Sequence, residues 1–113
     1  MSARRGEVWL IDFDPVRGHE QAGRRPALVL SADTWNAGPG GLVTVLPITS
    51  KERAGIPSRI AVNPPEGGLT LPSWVISEQV RTISVDRLGH RLGVIRPVTL
   101  RAVEAVVRML LGL

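Results

Sequence analysis

Between Arg17 and Pro26 the chain gathers an imidazole (His19), a carboxylate (Glu20), an amide (Gln21) and two adjacent guanidiniums (Arg24, Arg25). Gly18 and Gly23 frame the stretch and permit backbone angles that other residues resist. The loop is longer than a hairpin needs, and such loops carry function or simply move. Arg25 directly precedes Pro26, which biases its backbone to extended geometry and fixes it at the start of a strand. A planar, permanently charged group held there suits an oxyanion or a phosphate. The plainer reading of Arg24 and Arg25 is a solvated pair at a strand end.

Two further stretches carry polar groups in apolar surroundings. Pro47-Ile48-Thr49-Ser50 places two adjacent hydroxyls where a strand runs out, as phosphate donors or as turn residues. Ser77-Glu78-Gln79-Val80-Arg81-Thr82 interleaves polar groups with a strand pattern. A buried Glu78 or Gln79 needs partners, which points to a site or interface there; Arg81 is the candidate structural partner of Glu78.

The elements that must position these groups are short. Val8–Phe13, Pro26–Ser31, Leu42–Ile48, Arg59–Val62, Trp74–Ser77, Val80–Ser84 and Leu92–Ile95 read as strands, with residues 14–25 as a polar loop. Ser31 or Asp33 is placed to cap one helical turn before Gly38-Pro39-Gly40-Gly41, and Val85–Leu88 forms a turn ended by Gly89. Leu100, Val103, Val106, Val107, Leu110 and Leu111 recur at steps of three and four, so a helix closes the chain, with Thr99 as its N-cap and Pro97 unfavourably placed before it. Many short strands and one terminal helix predict a mainly β fold, a small curled sheet or barrel closed on one side by the helix.

Composition limits the chemistry. The 113 residues allow one domain, 1–113, and 43% hydrophobic residues suffice for a core. With no cysteine there is no disulfide framework, thiolate zinc site or cysteine nucleophile, and His19 and His90 alone make a histidine metal site a poor expectation. Glu7 and Asp12 break up the first apolar stretch, so neither a signal peptide nor a membrane span is expected, and the chain reads as cytoplasmic. The net charge is +4, and all of it lies after residue 80: residues 1–80 carry eight basic and eight acidic side chains, residues 81–113 six arginines against Asp86 and Glu104. Such a balance suits a polyanionic partner, and equally an arginine-rich genome.

Taken in order, Arg5-Gly6-Glu7-Val8-Trp9-Leu10, Asp12-Phe13-Asp14-Pro15, Gly18-His19-Glu20-Gln21-Ala22-Gly23, Arg25-Pro26-Ala27-Leu28-Val29-Leu30-Ser31, Pro47-Ile48-Thr49-Ser50 and Glu78-Gln79-Val80-Arg81-Thr82-Ile83 resemble the MazF/PemK (Kid) toxin family across essentially the whole chain. The resemblance implies an SH3-like β-barrel of the PemK/Kid/CcdB type with a C-terminal helix, a homodimer, and metal-independent, cofactor-free cleavage of single-stranded RNA at short specific sequences. It implies a cognate antitoxin protein as partner, and Arg25 and Thr49 as the catalytic pair. The Gly18–Gly23 loop matches the segment that gates the site. Kid-like members carry an arginine where this chain has Ile76, so their acid–base scheme does not transfer whole.

RNA brings its own nucleophile, the 2′-OH, so the protein must stabilise charge on the phosphorane oxygens. Arg25 and Thr49 fit that task, but an arginine is a poor free base. His19, Glu20 and Glu78 are the acid–base or site-shaping candidates, and Arg17, Gln21, Ser50, Gln79 and Arg81 the candidate RNA contacts. Two other readings stand beside this one: a non-enzymatic, gyrase-inhibitor-like toxin on the same barrel, and a metal nuclease using Asp12 and Asp14.

Overall fold

The structure is a computed structural model that describes residues 2–13, 23–53 and 55–113. Seven strands, β1 (Glu7–Asp12), β2 (Arg24–Val29), β3 (Leu42–Thr49), β4 (Arg59–Val62), β5 (Ser73–Ile76), β6 (Arg81–Ser84) and β7 (Leu88–Val94), join two helices, α1 (Asp33–Asn36) and α2 (Pro97–Leu111). All pairings are antiparallel. The order is β4-β5-β3-β2-β1-β7, with β6 also on β3. The result is a curled, barrel-like sheet with a C-terminal helix, in which no pairing between β6 and β7 closes the ring among the described residues.

Strand alternation sorts the apolar residues into two cores. Val8, Leu28, Leu46 and Ile48 face one side, where Val103 and Val107 of α2 complete a buried cluster. Trp9, Ile11, Phe13, Ala27, Val29, Val43 and Val45 face the other, the inside of the curl, where Ile83 joins them. β1, β2 and β3 therefore have both faces buried over most of their length. That explains why they read as continuous apolar runs.

Several boundaries differ from the sequence expectation for physical reasons. Thr99 is not the N-cap of α2; the helix starts at Pro97, the N1 position, where a missing N–H costs nothing, and Arg96 precedes it. A remote carboxylate replaces the cap: Glu66 accepts the Arg96 N–H at 2.9 Å, lies 3.3 Å from the Arg96 side chain, and receives the Thr99 hydroxyl. Neither Ser31 nor Asp33 caps α1; Ser31 bonds Asn36, and Asp33 accepts the Arg5 N–H at 2.7 Å. Gly89 does not end an element but lies inside β7, pressed so close to β1 that a Cβ there would sit 2.8 Å from the Leu10 carbonyl oxygen. Leu110 and Leu111, expected on the buried stripe of α2, are 47% and 57% exposed together with Met109 and Leu113. No helix among the described residues is long and apolar enough to cross a membrane.

Candidate active site at the barrel mouth

The register of β2 on β3 pairs Val29 with Val45, Leu28 with Leu46 and Ala27 with Pro47. Arg25 and Thr49 lie two residues beyond the last of these pairs, where β3 goes on to pair with β5 through Thr49 and Trp74. On the other flank Arg25 is paired directly with Ile11 of β1. Alternation puts the Cβ atoms of Arg25 and Thr49 on the face of Ala27, Val29, Val43 and Val45, the inside of the curl. Both residues thus lie where the β2–β3 ladder ends, at the mouth of the barrel-like sheet. Pro26 and Pro47, which lack N–H donors, lie where the ladder gives out.

Thr49 is 5% exposed, and its hydroxyl oxygen accepts the Lys51 N–H at 3.1 Å; a hydroxyl that accepts one bond can still donate its own proton. Arg25 is half-buried. The guanidinium of Arg81 lies over the ring of Phe13, 5.0 Å from its centroid, on the same inner face. Ser50 is exposed and lines a cavity of about 200 Å³, with Arg24, Arg25, Pro26, Ile48 and Leu71 among its walls. A larger recess of about 580 Å³ lies elsewhere, around Asn63, Glu66, Gly93 and Arg96, and contains none of the candidate residues.

Glu78 has a different environment from the one expected. Its partner is not Arg81 but Arg59, whose Nε donates to it at 3.0 Å, while the Ser58 hydroxyl donates at 2.8 Å. Burial pushes its carboxyl up, but the bonds from Ser58, from its own backbone and from Arg59 outweigh this and hold it below the ordinary carboxylate range. Glu78 is therefore a stably ionised, engaged carboxylate and a weak base. The backbone N–H of Gln79 donates to the Ile76 carbonyl in the turn before β6, and the residue is half-buried. Ile76 is fully buried, so that position brings no cation to the mouth. Arg17, His19, Glu20 and Gln21 lie outside the described residues, as does Asp14.

Asp12 is exposed and sits across from Arg24, away from the inner face. No group of three or more His, Asp or Glu side chains suited to a metal ion occurs among the described residues. Phe13 ends the first strand read from the sequence and is fully buried in the core. Its second role as a floor for Arg81 is signalled by the shared alternation of Trp9-Ile11-Phe13 and Arg81-Ile83, which becomes readable once the strand order is known.

Fold and mouth together define a small barrel-like protein with a cationic, hydroxyl-bearing opening. Residues 4–111 match the family model described as PemK-like, MazF-like toxin of type II toxin-antitoxin system. The chain belongs to that family. It is 33% identical over 114 residues to Endoribonuclease MazF9 of Mycobacterium tuberculosis, covering 97% of each chain. It is likewise 33% identical over 111 residues to Endoribonuclease MazF of Staphylococcus saprophyticus, covering 97% of this chain and 92% of that one. Among solved structures, MazF from Deinococcus radiodurans superposes with a TM-score of 0.86 at 30% identity, over 100% of this chain and 99% of the other. A MazE-MazF structure from the same organism gives 0.79 at 32% identity, over 98% and 96%.

Proposed function

We propose that this toxin is a metal-independent, sequence-specific endoribonuclease that cleaves single-stranded mRNA and so halts translation. What supports the reading is the strand alternation that directs Arg25 of β2 and Thr49 of β3 to one face, where the β2–β3 ladder ends. Relatives named endoribonuclease support it.

The reaction is an in-line transfer. The 2′-oxygen attacks the adjacent phosphorus and loses its proton, the bond to the 5′-oxygen breaks, and that oxygen takes up a proton. The products are a 2′,3′-cyclic phosphate and a 5′-hydroxyl. Arg25 pairs in bidentate fashion with the phosphorane oxygens, and Thr49 donates its hydroxyl proton to one of them. No cofactor is needed, because the substrate supplies the nucleophile. Glu78, held ionised by Ser58 and Arg59, shapes the site and does not exchange protons. His19 and Glu20 are the remaining candidates for base and acid. Gln79, Ser50, Arg81, Arg17 and Gln21 contact the RNA, with the cavity beside Ser50 large enough for a base.

The toxin acts in the cytoplasm as a homodimer of one-domain chains, residues 1–113. The exposed apolar end of α2, at Met109, Leu110, Leu111 and Leu113, is a surface that a second copy would cover. A cognate antitoxin is the second protein partner; the six arginines after residue 80 suit an acidic one. The test is incubation of purified toxin with a long RNA in EDTA, beside Arg25→Ala and Thr49→Val. Cleavage that survives EDTA and is lost in both variants is expected. Growth arrest by a toxin that cuts no RNA would favour a protein-binding mode, and cleavage abolished by EDTA a metal mechanism.

A further inference from the structure

We propose that Trp74 is the platform on which the toxin stacks an RNA base flanking the scissile phosphate. The inference rests on the nuclease reading above and adds to it a base contact that none of the residues named there supplies.

The strand register places the ring. β3 pairs with β5 through Thr49 and Trp74, and β5 pairs with β4 through Trp74 and Ala61. Residues directly opposite in an antiparallel pair point to the same face, with Cβ atoms about 5 Å apart. The row Thr49, Trp74, Ala61 therefore crosses three strands on one face, with the indole rooted beside Thr49 and a small side chain on its other flank. The opposite face of these strands is filled, because Ile48, Val62 and Val75 belong to the buried cluster under α2.

Burial separates this ring from the other aromatic side chains. Trp74 is half-buried and joins neither core cluster, although β5 lies between β3 and β4. Trp9 is the contrast: it is 7% exposed, packs in the inner cluster, and its indole N–H donates to Glu7 at 3.1 Å. Phe13 is fully buried. Trp35 is 53% exposed, but it belongs to α1, which precedes the Leu42 end of β3. That end is about 23 Å along the strand from Thr49 at the usual rise per residue. With no tyrosine, one phenylalanine and three tryptophans in the chain, the ring beside the mouth is Trp74.

Single-stranded RNA is bound through unstacked bases laid on aromatic faces, and every base has such a face to offer. An indole anchored in a strand paired on both sides gives up little freedom on binding. A base held on it fixes the nucleotide next to the phosphate that Thr49 addresses, which favours the in-line geometry. Stacking tolerates any base, so Trp74 supplies hold and alignment while the cleavage sequence is set by other contacts.

The test uses a short single-stranded RNA carrying one cleavage site mapped on a longer RNA. It is made intact, or with one abasic ribose on the 5′ or the 3′ side of the scissile phosphate. Trp74→Leu is expected to lower kcat/KM about tenfold on the intact RNA, and Trp74→Phe, which keeps a ring, to lose less. On one of the two abasic RNAs, wild type and Trp74→Leu should be equal, because the stacked base is already missing. Binding is read separately by indole fluorescence, with an RNA blocked by a 2′-deoxy nucleotide at the site. Trp35→Phe, which leaves Trp74 as the one indole that is not buried, should be quenched like wild type, and Trp74→Leu, its fold verified by melting, should not. An unchanged kcat/KM, an equal Trp74→Leu penalty on all three RNAs, or a Trp35→Phe toxin that binds RNA without quenching overturns the proposal. A wild type that cuts no RNA at all takes down the nuclease reading and this inference with it; a wild type that cuts normally beside a silent Trp74→Leu removes this inference alone.

Discussion

The barrel mouth and the start of α2 use the same residue types to opposite ends. At the start of α2 each polar group meets its complement: Glu66 binds the Arg96 backbone, the Arg96 side chain and the Thr99 hydroxyl. The backbone there is packed so tightly that a Cβ on Gly68 would fall 1.9 Å from the Leu92 carbonyl oxygen. At the mouth, Arg81 lies on a ring and the Thr49 hydroxyl accepts the Lys51 N–H. At the start of α2 a carboxylate gathers backbone and side-chain donors and the cluster stabilises the fold; at the mouth a cation rests on an aromatic floor. Glu78 belongs with the first kind, although its sequence neighbourhood suggested the second.

The contrast can be broken most severely at Gly68, which adopts a φ of +70° as well as that close approach. Gly68→Ala should cost upwards of ~3 kcal/mol of stability, seen as a collapse of the thermal midpoint or of soluble yield. Arg25→Ala should do the reverse: a loss of about 10²–10³ in single-turnover cleavage with an unmoved melting curve. Glu66→Gln should lower stability by about 1–2 kcal/mol and leave cleavage intact, because it weakens charge-assisted bonds far from the mouth.

A pH series sharpens that third variant. For Glu66, burial acts to raise the carboxyl, but the Thr99 hydroxyl, the Arg96 N–H and the Arg96 charge together hold it below its ordinary value of 4.5. A depressed folded value contributes stability above the unfolded one and loses it as pH falls through the folded one. Wild type should therefore melt progressively earlier below about pH 4.5, and Glu66→Gln should show less of that slope. The smallest effect is expected on α2: Arg101 and Arg108 are exposed there, and replacing both with Gln should slow RNA association at low salt by a few-fold, leaving turnover at saturating RNA unchanged.

The strands were legible because β1, β2 and β3 are buried on both faces and advertise themselves as apolar runs. The helix was legible from its period, but its start was not. Thr99 looks like a cap in the sequence, whereas the group that serves the helix end is Glu66, supplied by a turn between β4 and β5. β7 was read short because Gly89 and Gly93 resemble breaks, while their missing side chains are what let β7 lie against β1 and the Gly67-Gly68 turn. At the site, Arg25 and Thr49 stood out as phosphate-binding candidates by residue type and position, and only the resemblance joined them as a catalytic pair. The β2–β3 register, which sets how the ends of the two strands lie relative to each other, is encoded by no local pattern. The Glu78–Arg59 pair spans 19 residues and was invisible for the same reason.

The central claim is that the mouth formed by Arg25 and Thr49 stabilises attack by the substrate's own 2′-oxygen. It is tested most directly with two short RNAs that carry the mapped cleavage site, identical except for a single 2′-deoxy nucleotide on the 5′ side of the scissile phosphate, incubated with wild-type toxin in EDTA. The account predicts that the all-ribose strand is cut to a 2′,3′-cyclic phosphate and a 5′-hydroxyl while the deoxy strand stays intact. Cleavage of the deoxy strand, or a product bearing a 5′-phosphate, would contradict it.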